Sequence, residues 1–444
     1  MHEKTVFIFS NDLRLRDHPA LLQAASESRQ LLCLYCVDPA WFKPARYQSK
    51  PMGAARWRFI HQSVDDLQQA LGRRQQKLLV CYLPIGQAVE RLVVNDAITA
   101  VYRSQTSGYQ ENRLWQRLQQ RWPDVVFKEI PATTLFNASE LPFTLDDLPE
   151  TFSQFRKQVE RLPIALPLSA PDELPPPISV SSDMGLELPE ASIRHNTFEG
   201  GESAGIAHLK HYFSTLAPSR YKETRNDFYG EAFSTGFSSW LSQGCLSPRQ
   251  IVQALTHYES DIIANESTYW ILFELLWREY FQWYALKQGV RLFALGGIRP
   301  STVRGCFYPE RFQKWCAGNT PWPIVNACMK ELASTGWLSN RGRQLVASCL
   351  IHELGMDWRY GAAWFEEQLI DYDVASNWGN WQYLAEVGAD SRGSRHFNLE
   401  KQAQQYDPDG HYIKRWFGDR TYPLDSVDMA DWPILPDNND HGSQ

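Results

Sequence analysis

Apolar residues near the start of the chain come in short runs, at TVFIF (5–9), LLCLYCVD (31–38), KLLVCYLP (77–84), AITAVYRS (97–104) and VVFKEI (125–130). Such runs suit strands buried on both faces of a sheet. Amphipathic stretches such as WRFIHQSVDDLQQAL (57–71) separate them. This alternation predicts an α/β domain over residues 1–131, with a Rossmann-like parallel sheet wrapped by helices. Its first loop, SNDLRLRDHP, lacks GxGxxG, so a ligand here binds by a route other than the dinucleotide fingerprint.

The pattern breaks over 132–203. FRKQVERL reads as a short helix, and PIALPLSAPDELPPPISVSS, rich in Pro and Ser, reads as an extended surface connector. Helical periodicity dominates 204–418, with helices expected at 204–215, 248–259, 267–288, 323–334, 340–353, 360–370 and 399–406. Ser247 before Pro248 supplies an N-cap and a proline at the first helical position. Residues 419–444 form a short polar tail whose end, PILPDNNDHGSQ, is expected to fray.

The 444 residues allow two or more domains with their own cores. A net charge of -7 removes a whole-protein electrostatic argument for nucleic acid and leaves only a local basic patch. The 17 Trp, 19 Tyr and 22 Phe favour stacking surfaces or large cores. No apolar stretch reaches the length of a membrane span and no secretion signal is evident, so the chain reads as soluble and cytoplasmic, and a monomer is the simplest expectation. The eight cysteines lie mostly in apolar runs, as reduced buried thiols do. Cys33 and Cys36 form a CxxC, but in LLCLYCVD they read as strand residues. His208 and His211 share a helix face with nothing to complete a metal set, which predicts a solvent-facing helix and no metal.

Three constellations carry chemistry. Ser234, Thr235, Gly236, Phe237 and Ser238 offer hydroxyls and a glycine suited to phosphate oxygens. In ELLWREYFQWY, Glu274, Trp277 and Arg278 stand at i, i+3 and i+4. Taken alone, a Glu to Arg helix pair explains two of them; with Trp277 they also form a set suited to an extruded base. The third and most telling segment runs from Thr335 to Tyr383, where arginines, amides, carboxylates and tryptophans replace the aliphatics of an ordinary helical core. Asn340 and Arg343, at i and i+3, share a helix face. Asp371 and Asp373 share a face on an extended turn. Gly379 in NWGNW lets backbone approach a ligand. Together these predict a pocket for something flat, polar and anionic.

In order along the chain, YKETR (221–225), STGFS, ELLWREYF, TGWLSNRGRQ, DWR, DYDVASNWGNWQY and YDPDGHYIKRW, preceded by FSNDLRLRDHPAL, resemble the photolyase/cryptochrome family from about residue 4 to 418. The subgroup resembled is the DASH-type cryptochromes. The resemblance implies an antenna-binding α/β domain and an all-helical domain holding folded FAD. By motif match, Tyr221, Ser234, Thr235, Gly236, Phe237, Ser238, Asn340, Arg343, Asp371, Tyr372, Asp373 and Asn377 would line the flavin, with Asn377 at N5. Glu111 is similar to the acidic residue that contacts 5,10-methenyltetrahydrofolate in relatives. Gly236 departs from the basic residue many relatives carry beside the cofactor phosphates.

The reaction implied is blue-light repair of a cyclobutane pyrimidine dimer, in which the reduced flavin lends an electron, the ring splits and the electron returns. Glu274, Trp277, Arg278 and Gln344 resemble the dimer-pocket residues, and Arg225, Arg341 and Arg395 match positions near the DNA backbone. Tyr383 stands where double-strand photolyases usually carry Trp. Gln344 and Tyr383 follow the DASH pattern and imply a preference for single-stranded DNA, since weaker packing on the dimer offsets less unpairing. Trp358 and Trp381 resemble the inner members of the chain that photoreduces flavin; Tyr308 and Trp315 are candidates for the third. A blue-light sensor signalling through a partner is the alternative. The roughly 28 residues after Trp416 are expected to favour repair over signalling.

Overall fold

The computed structural model describes residues 1–181, 183–185, 188–191, 198–230, 233–298, 305–389 and 395–424. The segment PILPDNNDHGSQ, expected to fray, lies outside the described residues. Strands β1 (His2–Phe9), β2 (Ser28–Cys36), β3 (Leu78–Cys81), β4 (Ala100–Ser104) and β5 (Val126–Ile130) form a parallel sheet in the order β3-β2-β1-β4-β5. Alternation along β1 explains the unbroken apolar runs. Phe7 and Phe9 pack on the side of α1 (Pro19–Ser26) and α2 (Ala54–Gly72). Val6 and Ile8 pack on the side of α3 (Ile85–Asp96) and α4 (Tyr109–Arg121). Both faces are therefore apolar, as a doubly wound sheet requires. Cys33 and Cys36 lie buried within β2, with Cys36 paired in register to Cys81, as their apolar surroundings suggest.

A doubly wound sheet reverses strand order between β1 and β4, and the crevice there is where such folds usually bind ligands. Here the loop after β1 fills that region with its own polar groups. Asp12 accepts from the Ser10 N–H at 2.7 Å and the Ser104 hydroxyl at 2.5 Å. Arg14, fully buried, donates to the carbonyls of Asp17, Gly244 and Ala132. One guanidinium thus ties the α/β domain, the start of the connector and the helical part together.

The connector carries α5 (Phe152–Val159), close to the short helix expected at FRKQVERL. The helices that follow are α6 (Glu202–Phe213), α7 (Tyr221–Thr224), α8 (Ser238–Ser242), α9 (Pro248–Asp261) and α10 (Glu266–Gln288). Ser247 and Gln250 cap α9 reciprocally, with Pro248 at its first position. Beyond come α11 (Pro309–Ala317), α12 (Pro323–Thr335), α13 (Asn340–Ser348), α14 (Trp358–Gln368), α15 (Val374–Leu384), α16 (Leu399–Tyr406) and α17 (His411–Arg415). Among the described residues no helix is long and apolar enough to cross a membrane, and no cluster of His, Cys, Asp or Glu could hold a metal ion.

Three sequence readings change. The helix expected over 340–353 is α only to Ser348 and continues as a π turn over Cys349–Glu353, with the Leu354 N–H reaching back to the Cys349 carbonyl. Helix α15, through NWGNW, was not expected; tertiary packing and an Asp373 cap override the poor propensity of Asn and Gly. His208 does not face solvent. Its ring stacks on Trp240 at 4.7 Å and its Nε2 lies 2.7 Å from the Thr235 carbonyl, while His211 is exposed.

Two expectations follow from buried polar groups. Arg14→Met strands three buried carbonyls and should cost ~2–4 kcal/mol; an unchanged denaturant midpoint would refute its role as a staple. Burial among α12 and α17 pushes the Glu331 carboxyl up to about 7, although the Tyr412 hydroxyl donates to it. The folded protein then binds a proton that the unfolded chain releases. Stability should therefore fall between about pH 4.5 and 7 as pH rises, by up to ~3 kcal/mol. Glu331→Gln should flatten this slope in urea titrations run across that range.

Candidate functional site in the helical domain

A cavity of about 280 Å³ opens within the helical part. Its walls come from α7, the 234–238 loop, α10, α13 and the α14–α15 turn. Ser339 caps α13 by accepting the Gly342 N–H at 3.1 Å, which fixes the helix start. Asn340, Arg343, Gln344 and Ala347 then fall on one face, at i, i+3, i+4 and i+7, and all line the cavity. The expected pairing of Asn340 with Arg343 is realised by that spacing.

Arg343 reaches across the cavity floor to Asp371, Nη2 to Oδ2 at 2.7 Å, and its Nε donates to the Leu338 carbonyl. The Asp371 side chain is only 1% exposed, and its Oδ1 is buried without a partner. Such an atom is costly unless a ligand donates to it. Asp373 also lines the cavity, but its carboxylate caps α15 through the Ser376 N–H at 2.7 Å and accepts from Gln282 Nε2 at 2.9 Å. Gln282 Oε1 in turn accepts from the Ser107 hydroxyl of the α/β domain. Tyr372 borders the cavity while its ring lies under Arg56, 4.4 Å from the guanidinium carbon, and its hydroxyl accepts from Trp378.

Along α15, Ser376, Asn377, Asn380, Trp381 and Leu384 face inward. Asn377 donates Nδ2 to the Ala362 carbonyl at 3.0 Å, which leaves Oδ1 as the acceptor it can offer a ligand. Asn380, missed from the sequence, is the helical i+3 neighbour of Asn377; an α-helix through NWGNW would have revealed it. Gly379 serves a different purpose from the one expected. A Cβ there would overlap the Phe281 ring, so this glycine lets α15 approach α10 rather than a ligand.

Tyr221, Ser234, Thr235, Phe237 and Ser238 line the opposite wall. Gly236 is not part of it: the space its side chain would take lies against Phe198 and His208. Glu274, Arg278 and Gln344 border the cavity. Arg225 forms an ion pair with Glu274. Arg278 donates to the Thr133 carbonyl at 2.8 Å. Trp277 is absent from the wall; its ring stacks on Phe152, 3.8 Å between centroids, and on Phe281 at 5.5 Å. Tyr383 meets Trp277 edge-on at 6.0 Å and lies under Arg395, 4.3 Å away. Arg341 bonds Asn226 and Tyr406, and burial with the nearby Arg225 charge lowers its pKa.

Trp381 lines the cavity, whereas Trp358 is buried outside it, 5.7 Å from Trp378. Trp315 is fully buried, 6.5 Å from Trp381; Tyr308 is half-buried beneath Arg311. Glu111 stands apart from the cavity, exposed on the first turn of α4 and within electrostatic reach of Arg56 and Tyr372 at the domain junction.

Comparison with known proteins gives this arrangement a lineage. The family model described as DNA photolyase matches residues 5–177, and that described as the FAD binding domain of DNA photolyase matches 270–422. The chain belongs to the photolyase/cryptochrome family, and within it to the DASH-type cryptochromes. It is 53% identical to the cryptochrome DASH of Idiomarina loihiensis, over 97% of this chain and 96% of that one. The structure of the Synechocystis cryptochrome is similar, with a TM-score of 0.89 and 39% identity over 93% of this chain and 88% of that one. An archaeal photolyase from Sulfolobus tokodaii, solved with two FAD molecules, gives a TM-score of 0.74 at 26% identity, over 93% and 90% of the two chains.

The donor set suits a flavin nucleotide. Asp371 Oδ1 and Asn377 Oδ1 are deep acceptors for ring N–H groups, and Ser234, Thr235 and Ser238 offer hydroxyls. Removing one partner of the deep ion pair tests the site directly. Asp371→Ala should destabilise the protein by about 2–3 kcal/mol, less than a fully buried pair because the Arg343 side chain is 25% exposed. It should also lower the flavin absorbance that copurifies with the protein, and an unaltered flavin content would remove Asp371 from the cofactor site.

Proposed function

We propose that this protein uses FAD and blue light to split cyclobutane pyrimidine dimers, preferentially in single-stranded DNA. It would act as a cytoplasmic monomer. The observation that carries this reading is the graded chemistry of one cavity. Its floor holds the buried acceptors Asp371 and Asn377, and its outer part holds Glu274, Arg278 and Gln344. A ring system below and an extruded base pair above could share that space.

FAD, when bound, supplies light absorption and one-electron transfer. The chain's own groups would do the rest. Arg343 and Asp371 would hold the ring edge, Asn377 would accept a proton-bearing nitrogen at N5, and the 234–238 hydroxyls would meet phosphates. Glu274 and Gln344 would orient the dimer. Trp381, on the wall, and Trp358, buried outside the cavity, would refill the cofactor with electrons. Arg225, Arg341 and Arg395 would contact phosphates, positioning the strand without reading its sequence. Glu111, at the domain junction, would meet a 5,10-methenyltetrahydrofolate antenna.

The single-strand preference gains support from Trp277. With Phe152 and Phe281 both stacked against it, Trp277 leaves little ring surface for an extruded dimer, and Tyr383 is smaller than the Trp it replaces. Base stacking on an aromatic ring contributes ~1–3 kcal/mol per base, comparable with the few kcal/mol that extrusion from a duplex requires. Weakening it therefore penalises duplex substrate most.

Under blue light, oligonucleotides carrying one dimer should be repaired faster as single strands than as duplexes, and equal rates would sink the preference. Glu274→Ala should reduce repair about 10-fold or more with flavin absorbance retained. Wild-type protein that photoreduces its flavin but splits no dimer would replace repair with a sensory role.

A further inference from the structure

Glu274 and Arg225 were expected to serve different parts of a DNA strand, yet without DNA they bind each other. Arg225 Nη1 pairs with Glu274 Oε1, and the guanidinium carbon lies 5.2 Å from the Trp270 ring centroid. Arg225 stands at the C-terminal end of α7, whereas Glu274 projects from α10 to the cavity. Arg341 of α13 lies close enough for the two guanidiniums to repel. Two cations this close together attract a phosphate, whose oxygens can take both N–H bonds of a guanidinium.

We propose that Arg225 is a positioning residue that couples capture of a DNA phosphate to uptake of a proton by Glu274. This rests on the dimer-repair reading above. Burial already pushes the Glu274 carboxyl upward, and the positive charge of Arg225 opposes it. The other groups facing it are the Tyr221 ring from α7 and, on its own helix, Trp270 and Arg278. Arg278 is anchored on the Thr133 carbonyl. When a phosphate draws Arg225 away, the carboxylate loses its nearest cation and gains a nearby anion. It then takes one proton from solvent, which becomes the O–H of the acid, and no other bond in protein or DNA forms or breaks.

The neutral acid suits the substrate. A pyrimidine imide edge presents a carbonyl acceptor beside an N–H donor, and a carboxylic acid answers both, whereas a carboxylate can only accept. When an electron reaches the dimer, negative charge grows on that carbonyl oxygen. A neighbouring O–H stabilises it, and a carboxylate would repel it. The ion pair thus favours the charged carboxylate in the free protein, and a bound strand would remove that support.

Calorimetric titration of the full chain with a thymine-dimer oligonucleotide, in buffers of different ionisation enthalpy at about pH 7, reads the protons taken up. Wild type should take up a fraction approaching one proton per complex, and Glu274→Gln should lose it. Arg225→Met should bind about 10-fold more weakly and take up fewer protons, because loss of the opposing cation lets burial raise the Glu274 carboxyl before DNA arrives; Arg225→Lys should restore the uptake. Uptake that survives Glu274→Gln, or that is unchanged in Arg225→Met, would overturn the coupling. Absence of binding by every form would overturn the repair reading itself, whereas tight binding and repair without proton uptake would overturn the coupling alone.

Discussion

The close approach of α15 to α10 and α14 is the constraint from which the site follows. Cβ atoms at Gly379 and Gly361 would overlap the Phe281 and Trp381 rings, so these helices meet at a distance that no other residue allows. That contact rotates α15 until Asn377, Asn380 and Trp381 face a common space. Asp373 caps the helix start and so fixes where that rotation begins. With α15 held there, the preceding turn drops Asp371 onto Arg343, and the cavity floor is complete.

Electrostatic stakes rise with depth in this cavity. At the floor, a carboxylate with one orphaned oxygen waits beside a guanidinium already bonded to protein. Near the mouth, Glu274 and Arg225 neutralise each other but remain partly exposed, with side chains 32% and 21% accessible. A buried unpaired acceptor calls for one defined donor, whereas a pair that keeps some contact with water can exchange partners at lower cost. The floor thus suits one defined ligand, and the mouth carries a pair that is free to exchange partners.

The α/β domain contributes more than a neighbouring body. Its phenylalanine-bearing sheet face is continuous with the helical core, and Ser107, Gln282 and Asp373 form a hydrogen-bonded line from one domain to the cap of α15. Glu279, next to Arg278 in the chain, accepts the backbone N–H groups of Leu135 and Phe136 and so ties the connector to α10. The crevice at the strand-order reversal is closed by Asp12 and Arg14, consistent with a first loop that lacks a glycine fingerprint.

Much of this was legible in the chain itself. Strand-length apolar runs followed by amphipathic segments determine a parallel sheet, and i, i+3 spacing places Asn340 and Arg343 together, because local periodicity sets which side chains share a face. What local pattern could not reach was anything that depends on a distant partner. NWGNW folds as a helix because Phe281 and an Asp373 cap outweigh its propensity. His208 turns inward because Trp240, 32 positions away, covers it. Trp277 yields a face to Phe152 of the connector. Residue types and their spacing determined the chemistry available to this protein, while only the packing of remote segments decided which of those groups stay free to use it.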